Sequence, residues 1–237
     1  MLRTLLFYFL FFLWSVIIIL LALPLSLISA DRIHSCAILW GRTCLLFAGL
    51  KLQVNGAENI PATGPAIYVS NHQSNFDIPI LYAGLPIQFR WMAKQELFRV
   101  PFFGLAMKRC GYIAIDRSDR HKALHSLNLA AQKIKAGTSV VIFPEGTRTP
   151  DGKVQEFKKG ALLIAAKAEV PVIPVAINGS YQVQPKGQWA VGSGPLTLTI
   201  FPPLATRNLK VSEVGQLTRK VHDQIAGTLE GETQHAV

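Results

Sequence analysis

Between Arg3 and Asp31 the chain carries no charged residue, only Leu, Ile, Phe, Trp, Val, one Tyr and small side chains. A helix needs about 20 such residues to cross the hydrocarbon core of a bilayer, so one membrane helix is expected. A cleaved leader ending at Ser29-Ala30 is the competing account. The apolar run far exceeds the roughly 7 to 15 residues of a leader's core, which argues against it. Pro24 interrupts the run, and apolar character resumes from Cys36 to Leu50 with Arg42 inside it. That pattern predicts a helical hairpin over residues 1–50. Because Arg42 is costly at the bilayer centre, its second helix is expected to lie near the interface.

The rest of the chain, residues 51–237, reads as one α/β domain. AIYVS, QFRWMA, YIAID, SVVIF, VIPVAI and LTLTI have the length and β-branched content of buried strands. Helix-like stretches lie between several of them. In Asp119–Ala136 the residues Ala123, Leu127, Ala130, Ala131 and Ile134 share one face, and Gly137 supplies a stop. A closing helix is expected over Glu213–Leu229. Strands alternating with helices predict a largely parallel, mixed sheet flanked by helices.

Composition narrows the function. The chain is 50% apolar, with a mean hydropathy of +0.30, high for a protein that meets only water. Its formal net charge of +10 suits anionic headgroups, a phosphorylated substrate or nucleic acid. The excess is regional, with eight basic residues against three acidic ones between Arg90 and Lys122. Aromatics do not interleave with these as a single-strand stacking platform requires, so no nucleic-acid partner is expected. The three cysteines form neither an even-numbered framework nor a C-x-x-C site, and no H-E-x-x-H occurs, so neither disulfides nor a metal is expected.

Polar residues fall just after the predicted strands: Asn71 and His72 after AIYVS, Arg117 after YIAID, Glu145 and Arg148 after SVVIFP. In open α/β sheets ligands sit beyond the carboxyl ends of the strands, so these side chains, with Asp77, are expected on one rim. In NHQSNFD, Asp77 can hold one ring nitrogen of His72 and aim the other at a substrate. No G-x-S-x-G is present and no cysteine follows a strand, so the nucleophile must come from the substrate. FPEGTRTPDGK resembles a P-loop, but five residues separate the glycines and Val154 replaces the required hydroxyl residue. Nucleotide triphosphate binding is rejected. Glu145-Gly-Thr-Arg148 instead offers backbone N–H groups and a guanidinium fork to a phosphate, or else a plain Glu145–Arg148 ion pair.

Four segments in order, NHQSNFD, GYIAIDR, FPEGTRT and VPVIPVAI, resemble the blocks of the glycerolipid acyltransferase family, specifically its 1-acyl-glycerol-3-phosphate acyltransferases. The likeness covers roughly Val69 to Ile177, and AKQEL at Ala93–Leu97 resembles a further lysine-containing family segment. It implies transfer of an acyl group from acyl-CoA or acyl carrier protein to the 2-hydroxyl of lysophosphatidic acid, giving phosphatidic acid. His72 would be the general base, Asp77 its orienter, with no acyl-enzyme and no cofactor beyond the thioester co-substrate. Arg117 and Arg148 become the leading candidates for the acceptor phosphate, with Lys94 and Lys158 behind them and Glu145, Gly146 and Thr147 completing the loop. The fourth block's Pro171 and Pro174 suggest an edge or irregular strand, or plain core packing. Another lysophospholipid or a glycerol phosphate is the alternative acceptor, and a membrane-anchored basic lipid-binding protein the rival without chemistry. A bilayer partner follows from the hairpin. A bacterial inner membrane, with the domain on the cytoplasmic face where thioesters are, follows from the resemblance.

Overall fold

The computed structural model describes residues 1–101, 103–116 and 118–234. Two antiparallel helices open the chain, α1 (Leu2–Leu25) and α2 (Ala30–Phe47). Pro24 stands one residue before the end of α1, and Ser29 caps α2 by accepting from the Asp31 amide at 3.1 Å. The predicted hairpin is thus present. By length and composition α1 is able to cross a membrane, and within it only Thr4, Phe7 and Ile18 are buried. Between the helices, Trp40 donates to Ser15 Oγ at 3.0 Å and its ring lies 5.8 Å from that of Phe11. The other side of α2 lies on α3 (Asp77–Gly84). At Gly41 a Cβ would fall 2.7 Å from Tyr82 Cβ and 2.9 Å from the Pro79 carbonyl, so only glycine lets these helices close.

The domain is a seven-stranded sheet in the order β1-β7-β6-β2-β5-β3-β4. Its strands are β1 (Leu52–Asn55), β2 (Ile67–Ser70), β3 (Arg90–Lys94), β4 (Ile113–Ile115), β5 (Val140–Ile142), β6 (Val172–Asn178) and β7 (Leu196–Ile200). From β6 to β4 the strands are parallel; β7 runs antiparallel to β6, and β1 pairs parallel with β7. Ile67 and Val69 face the helices α5 (Arg120–Lys135), α6 (Lys159–Ala168) and α8 (Val214–Gln234). Tyr68 faces α3 and the hairpin, the alternation of a pleat covered on both sides. Two short helices complete the chain, α4 (Phe103–Arg109) and α7 (Ser180–Val183).

Strand β1 has no counterpart in the sequence reading, because LQVN is short, half polar and joined directly to the apolar hairpin. Nor is the proline-bearing strand at an edge: β6 is paired on both sides. Three steps along β6, from Val172 to Val175, face four from Ile200 to Leu204. This local mismatch lets a central strand hold Pro174, whose carbonyl still accepts from the Phe201 amide at 3.0 Å.

Candidate active site

The loop after β2 is fixed at both ends by its own side chains. Asn71 makes two 2.8 Å bonds to Ile177, donating to its carbonyl and accepting from its amide, so the ends of β2 and β6 are clamped. Asp77, the first residue of α3, is fully buried. Its Oδ2 accepts from the amides of Gln73 at 2.7 Å and Ser74 at 2.8 Å, and from His72 Nδ1 at 2.7 Å. Oδ1 has no partner among the described residues. Three donors on one oxygen hold the turn and the imidazole together.

A carboxylate on Nδ1 places the proton there, which leaves the Nε2 lone pair free. The His72 side chain is 18% exposed, and no described residue hydrogen-bonds Nε2, so that nitrogen is open to a ligand. The ring lies on Phe143, just past β5, with centroids 3.9 Å apart and planes 9° from parallel. Phe143 in turn stacks on Trp91 of β3 at 5.5 Å.

Glu145 is buried and supports the loop through backbone groups rather than an ion pair with Arg148. Its Oε1 accepts from the His72 amide at 2.6 Å, and its Oε2 from the Gln155 amide at 3.0 Å. The His72 carbonyl accepts from the Thr149 amide at 2.9 Å, which joins the two loops a second time. Burial pushes the Glu145 carboxyl up to about 7, against the pull of its two amide donors and with the nearby Asp77 charge adding to the rise. Gly146 turns the loop at φ +75°, and Arg148 stands half-buried beyond it.

His72, Asp77, Glu145, Gly146, Thr147 and Arg148 therefore lie in two loops tied together at one rim. Lys94 ends β3 and Lys158 precedes α6, both exposed at carboxyl-end loops; the Lys158 amide donates to the Pro144 carbonyl at 3.0 Å. Arg117 lies outside the described residues. The sequence reading missed Phe143, Ser74, Gln155 and Lys186. Lys186 donates to Thr147 Oγ1 at 3.3 Å and brings another cation to the loop. Phe143 alone had a signal, its place at the end of a predicted strand.

Residues 51–178 match the family model described as Acyltransferase. The chain is 36% identical over 173 residues to the chloroplastic 1-acyl-sn-glycerol-3-phosphate acyltransferase LPAT1 of Arabidopsis thaliana, covering 72% of this chain and 48% of that one. It is 32% identical over 213 residues to 1-acyl-sn-glycerol-3-phosphate acyltransferase alpha of Bos taurus, covering 88% and 74%. The chain spans about half the length of the chloroplastic relatives it matches. The crystal structure of the 1-acyl-sn-glycerophosphate (LPA) acyltransferase PlsC from Thermotoga maritima superposes with a TM-score of 0.82 at 32% identity, covering 98% of this chain and 95% of that one. A mixed sheet with a His/Asp pair and a glycine-turned loop at its carboxyl rim defines the class, and the chain belongs to the Acyltransferase family.

Proposed function

We propose that this chain transfers an acyl group from acyl-CoA or acyl carrier protein to the 2-hydroxyl of 1-acyl-glycerol-3-phosphate, giving phosphatidic acid. The 2.7 Å contact between Asp77 and His72 Nδ1, with Nε2 left open, carries the reading. The names of the relatives above support the acceptor.

In this mechanism Nε2 takes the proton of the acceptor hydroxyl as its oxygen attacks the thioester carbonyl. Asp77 holds the ring and stabilises the imidazolium, which the Phe143 face also favours. The tetrahedral intermediate collapses with cleavage of the C–S bond, and the departing thiolate recovers the proton from Nε2. No acyl-enzyme forms. Arg148 and Arg117, with Lys94, Lys158 and Lys186 near the same rim, hold the acceptor phosphate, and Glu145, Gly146 and Thr147 shape the loop that presents Arg148. The exposed apolar side of α1 anchors the protein in the membrane, which for a bacterial chain is the inner membrane, with the domain on the cytoplasmic side where thioester donors are found.

The test is thiol release from oleoyl-CoA in mixed micelles, with and without 1-acyl-glycerol-3-phosphate, beside His72→Ala. Release that needs the acceptor and vanishes in the variant supports direct transfer. Acceptor-independent release makes water the nucleophile and the protein a hydrolase. No release from oleoyl-CoA or from an acyl carrier protein thioester overturns the proposal.

A further inference from the structure

The segment between β3 and β4 has a character the catalytic reading does not use. A 3₁₀ turn over Gln95–Arg99 leads into α4, and the two fold onto each other so closely that a Cβ on Gly104 would fall 2.2 Å from the Phe98 carbonyl. Phe98 and Met107 anchor this unit in the protein. Its outer side carries Leu97, Val100 and Leu105, 41%, 47% and 57% exposed, which is a dense apolar display for so short a stretch. Arg99, Lys108 and Arg109 are exposed on the same unit, against a single carboxylate, Glu96.

This unit adjoins the hairpin. Two residues past the end of α4 stands Gly111, where a Cβ would lie 3.8 Å from Ala30 at the start of α2. Next to it, Arg90 of β3 pairs with Asp31 of α2 at 2.5 Å. Leu27 and Ile28, in the turn just before α2, are strongly exposed. The start of α2, with the exposed Leu27 and Ile28 just before it, thus lies beside the end of the α4 unit, at a joint held by an ion pair.

We infer that the Gln95–Arg99 turn, Val100 and α4 form a second membrane contact, in which Leu97, Val100 and Leu105 enter the headgroup–acyl boundary while Arg99, Lys108 and Arg109 meet anionic phospholipid headgroups. The occupant is a lipid surface because apolar side chains flanked by cations, beside the exposed Leu27 and Ile28 of the hairpin turn, match an interface with hydrocarbon below and phosphate above. The inference rests on the proposed membrane anchoring by the hairpin. It gives the domain two points of attachment, and so a fixed tilt of the His72 rim toward the bilayer.

The experiment uses the full chain with Cys36→Ser, Cys44→Ala and Cys110→Ser, once this background is shown to unfold within a few degrees of wild type. Single cysteines replace Val100, Leu105, Leu13 of α1, or Lys133 on the exposed side of α5, and each is labelled with nitrobenzoxadiazole. On mixed phosphatidylglycerol–phosphatidylcholine vesicles the probes at 100, 105 and 13 are expected to shift to the blue, and the probe at 133 to stay unchanged. A shift at 13 without one at 100 or 105 overturns the second contact and leaves the anchor intact. No shift at any position overturns both, whereas absent thiol release in the wild type counts against the catalytic reading alone. Replacing Arg99, Lys108 and Arg109 together by Gln is expected to reduce the preference for anionic over neutral vesicles by at least about tenfold. An unchanged preference removes the headgroup part of the inference.

Discussion

The imidazole of His72 lies flat on the ring of Phe143, 3.9 Å between centroids, so the ring is held from two directions. Asp77 fixes its edge and Phe143 fixes its face. A stacked aromatic pair contributes about 0.5–1.5 kcal/mol beyond its burial. Phe143→Leu is therefore expected to lower kcat by roughly threefold to tenfold through a less well-held ring, with both KM values little changed. Steady-state kinetics on both substrates decide this; an unaltered kcat would show that Asp77 alone orients the base.

Asp77→Asn keeps the size of the side chain but removes the charge that, in the proposed mechanism, stabilises the imidazolium. A fall in kcat of about 10²-fold or more is expected, since general base catalysis of this kind contributes typically ~10² to 10⁴-fold. Thermal unfolding should also shift down, because Oδ2 holds the Gln73 and Ser74 amides. Kinetics within threefold of wild type would remove Asp77 from the mechanism.

Glu145 makes stability depend on pH in a defined direction. Its carboxyl sits at about 7 in the folded chain and at 4.5 ordinarily, so the folded state holds the proton more tightly. This favours folding fully below about pH 4.5 and is lost as pH rises through about 7, a span worth on the order of 3 kcal/mol. Denaturant titrations across that window should show Glu145→Gln with a flatter slope than wild type. The same variant presents an amide NH₂ to a backbone N–H that now finds an acceptor, at either His72 or Gln155. A loss of about 1–3 kcal/mol near neutral pH and a displaced His72 loop are expected.

Arg148→Ala should raise the KM for 1-acyl-glycerol-3-phosphate much more than that for the thioester. A loss of about 1.5–3 kcal/mol, the range for a hydrogen bond to a charged group, corresponds to roughly tenfold to a hundredfold. Equal effects on the two substrates would place the guanidinium elsewhere.

A chain of contacts runs from α1 to the catalytic turn. Gln184 donates to the Tyr8 hydroxyl at 2.8 Å, and its carbonyl accepts from Ser74 Oγ at 2.9 Å; Phe7 and Phe76 meet alongside at 5.5 Å. Ser74→Ala is expected to cost about 1–3 kcal/mol, because the Gln184 carbonyl is left unpaired, and to lower kcat more than it raises either KM. Combined with Tyr8→Phe the losses should be non-additive by about 0.5 kcal/mol or more. Strict additivity would mean that α1 and the turn do not communicate.

Much of this was legible in the chain itself, and the exceptions share a cause. His72 and Asp77 are five residues apart across a strand-to-helix turn, so local geometry brings them together, and the strand-end position of Glu145 and Arg148 brings that loop to the same rim. Glu145 was readable as a site residue but not as a brace. Its partners are backbone amides at His72 and Gln155, and an amide leaves no mark in a sequence. Lys186 lies 39 residues from Thr147, and its approach depends on the long connection between β6 and β7. Strand β1 earns its place only through its pairing with β7. Helix α5, where Asp119 caps and Gly137 closes, was readable to within a residue because its signals are local.

Arg3 donates to carbonyls at Ala48 and Gly192, and the Val191 amide donates to Thr4. The start of α1 is thus secured in part by the segment just before β7, far along the chain, just as β1 finds its sheet partner in β7. During synthesis the apolar hairpin is complete, and free to reach lipid, while the segment that braces Ser74 does not yet exist. Because synthesis runs from α1 toward β7, the Ser74 turn finds its Gln184 brace only after the strands from β1 to β6 have been made.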